Sequence, residues 1–82
     1  MKVKTVKLGS HTNGYFIDGY EEFDISPNVI SVSSISERHR TYYISLPYIV
    51  LLMVSGDSID LYFENKRDAE SERERIIKEL GW

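Results

Sequence analysis

The chain has 82 residues, a net charge of −3 and no cysteine. A chain of this size forms one domain, here residues 1–82, and buries only about 60% of the surface that its unfolded form exposes. The missing cysteines exclude disulfides and thiolate zinc sites, and the acidic balance disfavours a general nucleic-acid binder, which is expected to be basic. The longest apolar run, residues 47–54, is far shorter than the roughly 20 residues of a membrane-spanning helix, so we expect a cytoplasmic protein without a membrane partner.

The first part of the chain predicts strands joined by turns. β-branched residues favour a strand over residues 3–8, and residues 15–17 can pair back across the turn chemistry of residues 9–14, which ends in Asn-Gly. The acidic segment DGYEEFD, residues 18–24, predicts a loop that runs into a short strand at residues 23–25. Pro27 favours a turn over residues 26–28, because proline fixes φ and biases the preceding residue towards extended geometry.

The middle of the chain predicts two more hairpins. Residues 29–35 and 41–45 predict strands on either side of a polar loop at residues 36–40. The apolar run at residues 49–54 and the alternating residues 58–63 predict a further hairpin, in which Gly56 and Asp57 form a two-residue type II′ turn. We therefore expect an antiparallel β-meander or small curled sheet of five to six strands, all within residues 2–63.

Residues 66–80 predict one C-terminal helix, which completes an α+β fold. One arc of the helical wheel is apolar and the rest is charged. The apolar positions are Ala69, Ile76, Ile77 and Leu80. Asn65 is suited to cap the first turn, with Asp68 in the capping-box position, and Gly81 is suited to end the helix. Arg73 lies within the apolar arc, where its stem is expected to pack while its head reaches solvent or a carboxylate.

The predicted two-residue turn decides which side chains share a face of the last hairpin. Ser55 then lies opposite Ser58. The expected core face carries Val50, Leu52, Val54, Ile59, Leu61 and Phe63. The opposite face carries Ile49, Leu51 and Met53, and one helix cannot cover both faces. This second face would be covered by the first strands of a curled sheet, by a second copy in a homodimer, or by another protein.

The run from residue 23 to residue 80 resembles very small bacterial and phage proteins of the flagellar FlbD type. The pattern lies in a turn at residues 26–28 followed by Val29 and Val32, and in a hairpin from Leu52 to Leu61 around Gly56, before a helix with an acidic start. The longer N-terminal segment and the loop at residues 36–40 depart from this pattern. The resemblance implies a compact β-meander with a helix and no catalytic role, in a protein encoded by a phage or mobile element.

Residue types that carry catalysis or bind metals show no spacing typical of a site. His11 and His39 lie in predicted polar loops without a ligand pattern, so we expect neither a metal nor another cofactor. The serines lack a GxSxG elbow, and the chain has no P-loop or GxGxxG motif. We therefore expect a protein that is not an enzyme.

Two kinds of binding surface remain. For protein binding, the second hairpin face would supply apolar area and the acidic segment a rim for a basic surface. The candidate residues are Tyr48, Ile49, Leu51, Met53, Tyr62, Tyr20, Glu21, Glu22, Phe23 and Asp24. For nucleic-acid binding, lysines and arginines would form a patch beside tyrosines that stack on bases. These residues are Lys2, Lys4, Lys7, Arg38, Arg40, Tyr42 and Tyr43. We predict a small protein-interaction module that binds itself or another protein, with nucleic-acid binding as the alternative.

Overall fold

The fold is α+β, as predicted, and the described residues form five antiparallel strands in two small sheets and one C-terminal helix. A computed structural model of the chain describes residues 1–12, 14–25, 27–37 and 45–82. The elements are β1 (Lys2–His11), β2 (Gly14–Asp24), β3 (Val29–Val32), β4 (Tyr48–Met53), β5 (Ser58–Tyr62) and α1 (Lys66–Glu79). β1 and β2 form a two-stranded sheet, and β3, β4 and β5 form a three-stranded sheet in that order. Residues 38–44 lie outside the described part. They include most of the predicted strand at residues 41–45 and most of the predicted loop at residues 36–40.

The N-terminal hairpin is longer than predicted, because the acidic segment is strand and not loop. β2 runs through Asp24 and pairs with β1 from Lys2 opposite Asp24 to His11 opposite Gly14. The register shifts by one residue around Asp18 and Gly19, and Gly19 has φ +87°. A glycine in the left-handed region is typical of a bulge that bends the strand and increases its twist. We call the part of the hairpin beyond this bulge, residues 8–11 and 14–18, the outer arm.

The β4–β5 turn holds three residues, and the prediction of a two-residue turn is wrong. The Met53 backbone N–H donates to the Asp57 carbonyl at 2.8 Å, and the Gly56 N–H donates to the Met53 carbonyl at 2.9 Å. Gly56 has φ +93°, which suits the last position of a three-residue hairpin loop. Leu52 therefore pairs with Ser58, and Leu51 with Ile59. This register turns the opposite face of β4 towards the core.

The core lies between the three-stranded sheet, the start of β1 and the helix. It is formed by Val3, Ile25, Val29, Ile49, Leu51, Leu61, Phe63, Ala69 and Ile76. The contribution from β1 shows that the first strand helps to cover the sheet, which is the curled-sheet alternative. Hydrophobic burial of this kind supplies most of the stability of a chain without disulfides or metal ligands.

The predicted helix ends are confirmed. Asn65 Oδ1 accepts the Asp68 backbone N–H at 2.8 Å, and Asn65 Nδ2 donates to Asp68 Oδ2 at 3.2 Å. At the other end, Gly81 has φ +78°, and its N–H and that of Trp82 donate to carbonyls of the last turn at 3.1 and 3.0 Å. These two bonds form a Schellman motif. The head of Arg73 reaches the sheet, where its Nε donates to the Ser33 carbonyl at 2.8 Å, a backbone acceptor that the sequence did not predict.

Candidate protein-interaction surface

The apolar face predicted to bind a partner is mostly core. Ile49 and Leu51 have no exposed surface, and Met53 is half-buried and packs against the core cluster. The reason is the three-residue turn, which places Ile49 opposite Leu61 and directs both side chains inwards. A contact surface built on Ile49, Leu51 and Met53 is therefore wrong.

Tyr48 and Tyr62 do lie on the outward face of the three-stranded sheet. They are opposite each other in the register, and their ring centroids are 5.4 Å apart at an interplanar angle of 39°. The Tyr62 hydroxyl donates to Asp60 Oδ2 at 3.4 Å, and Tyr62 is only 7% exposed. Of this pair, Tyr62 offers little area to a partner.

The acidic segment is only partly a free rim, because two of its carboxylates face the lysines of β1 and Glu21 lies opposite Thr5. Glu22 lies opposite Lys4 in the register, and its Oε2 is 3.7 Å from the Lys2 Nζ. Asp24 lies opposite Lys2 and accepts a bond from the N-terminal ammonium at 3.3 Å. Opposite charges across a strand pair stabilise the hairpin. Phe23 is half-buried against the core cluster and is not an exposed anchor.

The same register weakens the nucleic-acid alternative. The charges of Lys2 and Lys4 are offset by the carboxylates of Asp24 and Glu22 across the ladder. Lys4 Nζ also lies 4.7 Å from the centroid of the Tyr20 ring. A patch whose charges are already matched offers little to a phosphate backbone. Lys7 is exposed on β1 at the register shift between Val6 and Leu8. The other candidates of that alternative, residues 38, 40, 42 and 43, lie outside the described residues.

Tyr20 ties the hairpin to the beginning of the helix. Its hydroxyl donates to Glu64 Oε2 at 2.7 Å, across 44 residues of sequence. This hydrogen bond raises the pKa of Tyr20, and desolvation and the negative charges of Glu64 and Asp68 raise it further. A cavity between hairpin and helix is lined by Lys4, Tyr20, Glu64 and Asp68, among others. Tyr20 thus connects the hairpin to the start of the helix, although it is 49% exposed.

The exposed apolar residues that the sequence reading missed lie on the outer arm. Tyr15, Phe16 and Ile17 are consecutive in β2 and are 39%, 43% and 44% exposed. Phe16 lies opposite Gly9, and a methyl group added at Gly9 would come within 2.5 to 3.0 Å of three ring carbons. The ring therefore lies over the bare backbone of Gly9, which holds it in place on the hairpin surface. In the sequence, the signal that indicates this exposed apolar run is the motif YFI directly after an Asn-Gly turn.

A second apolar patch lies on the side of the three-stranded sheet opposite the core cluster and in the β4–β5 turn. Ile30, Leu52 and Val54 are 53%, 36% and 65% exposed. The register shift between Val29 and Ser31 sets Ile30 beside Leu52, because two residues of β3 then face one residue of β4. This patch occupies the face that the sequence reading had assigned to the core.

The described ranges contain neither a metal-binding cluster nor a membrane-spanning helix. No group of three or more His, Cys, Asp or Glu side chains in them could hold a metal ion. Within the same residues, no helix is long and apolar enough to cross a membrane.

Comparison with protein-family models, curated proteins and solved structures yields no match. The resemblance to FlbD-type proteins stays a prediction.

Proposed function

We propose that this chain is a small, non-enzymatic protein-interaction module that binds itself or another protein through its outer arm. The observation that carries the proposal is the run Tyr15, Phe16 and Ile17, three large apolar side chains that are all more than a third exposed. Exposed apolar clusters on small proteins mark contact sites more often than isolated exposed residues do. We also place the protein in the cytoplasm, since a chain without cysteine needs no oxidising compartment.

The arrangement of charge along β2 supports this use of the arm. Natural edge strands are protected from chance pairing by charged side chains. On the core side of the bulge, β2 carries Glu21, Glu22 and Asp24, whereas residues 14–17 of the outer arm carry no charge and Asp18 stands at the bulge itself. In the part of the chain that the structure describes, β2 pairs with β1 alone. The edge of β2 is thus charged near the core and apolar along the outer arm, as expected of a strand that accepts a partner.

The position of the arm supports the same proposal. A two-stranded hairpin is at best marginally stable by itself. The inner half is held by Val3 in the core and by the bond between Tyr20 and Glu64. Beyond the bulge, Leu8 and Tyr15 line a cleft beside Ser58, Asp60 and Tyr62 of β5, while Phe16 and Ile17 remain 43% and 44% exposed. An apolar hairpin arm that is partly exposed gains stability from contact with another protein.

Matched lysine variants test the proposal. Ile17→Lys places a charge on the outer arm, and Ile30→Lys makes the same change at a similarly exposed isoleucine outside it. The immobilised wild-type protein and both variants are compared for retention of the chain itself and of proteins from the lysate of its source. We expect the wild type and Ile30→Lys to retain the same species and Ile17→Lys to lose them. Identical retention by all three proteins would refute binding through the arm.

A further inference from the structure

We infer that the partner of the outer arm is a second copy of the same chain, whose β2 pairs antiparallel with β2 around a two-fold axis at Phe16. This inference rests on the proposed function and names the partner. The result would be a four-stranded sheet in the order β1, β2, β2, β1, in which each arm covers the other. Such an interface is self-complementary, since every contact occurs twice.

The bulge selects the centre of the pairing. Regular strand geometry beyond Gly19 is confined to residues 14–18, because the register shifts between Tyr20 and Ile17. A two-fold axis places the middle residue of the paired segment opposite itself, and the middle of residues 14–18 is Phe16. Tyr15 of one copy then lies opposite Ile17 of the other. All three exposed apolar side chains are paired among themselves, which is the arrangement that stabilises cross-strand neighbours.

The charges disfavour registers that are centred on the acidic half of β2. With the axis at Phe16, Asp18 lies opposite Gly14 of the second copy, and the carboxylates at residues 21, 22 and 24 fall beyond its turn. An axis at Asp18 sets that carboxylate against itself, and an axis at Tyr20 sets Asp18 against Glu22. Like charges directly opposite each other destabilise a strand pair. The acidic half of β2 therefore confines the pairing to the outer arm, and the apolar pairs that an axis at Phe16 forms select the register within it.

The size of the contact predicts a weak and reversible dimer. Aromatic side chains such as those of Tyr15 and Phe16 present about 150–250 Å² each, and we take the lower part of this range for Ile17, so three side chains exposed by about 40% contribute roughly 60–100 Å² apiece. Two copies together bury about 400–600 Å² of side-chain surface, below the roughly 1,200 Å² of a stable complex. Association is therefore expected between about 10 μM and 1 mM, where transient complexes form.

The absence of cysteine makes disulfide cross-linking a direct test, because a variant with one introduced cysteine contains no other thiol. Residues opposite each other in an antiparallel pair have Cα atoms about 4.5–5.5 Å apart, within the range that a disulfide spans. We expect Phe16→Cys to form an intermolecular disulfide under mild oxidation, and the control Ile30→Cys to form at least tenfold less. Equal cross-linking of both variants would overturn the inference.

Sedimentation and amide hydrogen exchange of the chain without an introduced cysteine provide a second test that does not depend on cross-linking. The wild type and Ile30→Lys are expected to show the same concentration-dependent dimer with slower exchange at Tyr15 and Ile17, and Ile17→Lys to weaken it at least tenfold. A wild type that is monomeric at about 1 mM overturns the second-copy inference. If Ile17→Lys nevertheless abolishes retention of another protein, the proposed function stands without the second-copy inference. If Ile17→Lys does not abolish that retention, the inference and the proposed function are both refuted.

Discussion

Two neighbouring leucines of β4 should differ sharply in their contribution to stability. Leu51 has no exposed surface and belongs to the core cluster, whereas Leu52 is 36% exposed on the other face of the sheet. Leu51→Ala removes three buried carbons at about 0.8 kcal/mol each, or about 2.4 kcal/mol. The cavity left behind raises the expected loss to about 3–4 kcal/mol. At Leu52 the same change removes carbons that are only about two-thirds buried, so we expect a loss of at most about 1.5 kcal/mol.

Urea denaturation of the wild type and both variants, followed by circular dichroism, measures these differences. A domain of this length has a total free energy of unfolding of about 4–12 kcal/mol, so Leu51→Ala removes a large share of it. The midpoint should fall while the slope with urea stays constant. If Leu52→Ala costs as much as Leu51→Ala or more, the three-residue turn and its register are refuted, because a two-residue turn would bury Leu52 instead.

Four further variants test three contacts around the helix and hairpin. Asn65→Ala removes the helix cap and should lower the free energy of unfolding by about 1 kcal/mol in the same urea experiment; an unchanged midpoint would contradict the cap. Arg73→Met leaves the half-buried Ser33 carbonyl without its 2.8 Å donor and should cost about 1–3 kcal/mol, with Arg73→Lys expected to restore part of it. The raised pKa of Tyr20 means that its bond to Glu64 stabilises the fold below pH 10.0, the ordinary value, and that this stability is lost as the pH rises through the higher folded value. Thermal melts across that range should show a smaller alkaline loss for Tyr20→Phe than for the wild type.

Local signals in the sequence predicted the helix well, because its determinants are close together in the chain. The Asn65 cap, the Gly81 stop and the apolar arc all lie within 17 residues of one another and appear in the structure as expected. The fold class and the number of strands also followed from turn residues and β-branched runs. The partner of Arg73 did not, since Ser33 lies 40 residues away and offers a carbonyl that every residue possesses.

The candidate site was misread because it depended on the length of one turn. Gly56 serves as the first residue of a two-residue loop or the last residue of a three-residue loop, and both conformations need its positive φ. Both faces of β4 are apolar, so hydrophobic alternation could not choose between Leu51 and Leu52. The charges of the acidic segment predict a solvated loop, whereas the segment is strand and two of its carboxylates, Glu22 and Asp24, face the lysines of β1.

The distribution of charged residues along the chain also determines which part of the molecule has a negative electrostatic potential. Residues 45–64, which include β4 and β5, carry three acidic side chains and no basic one, whereas the helix carries five of each sign. Two of the three, Asp57 and Asp60, lie in or close to the β4–β5 turn. Long-range attraction should draw cationic molecules towards this turn, at a rate that falls with ionic strength. Contacts at the uncharged tip of the hairpin should form at a rate that hardly depends on salt.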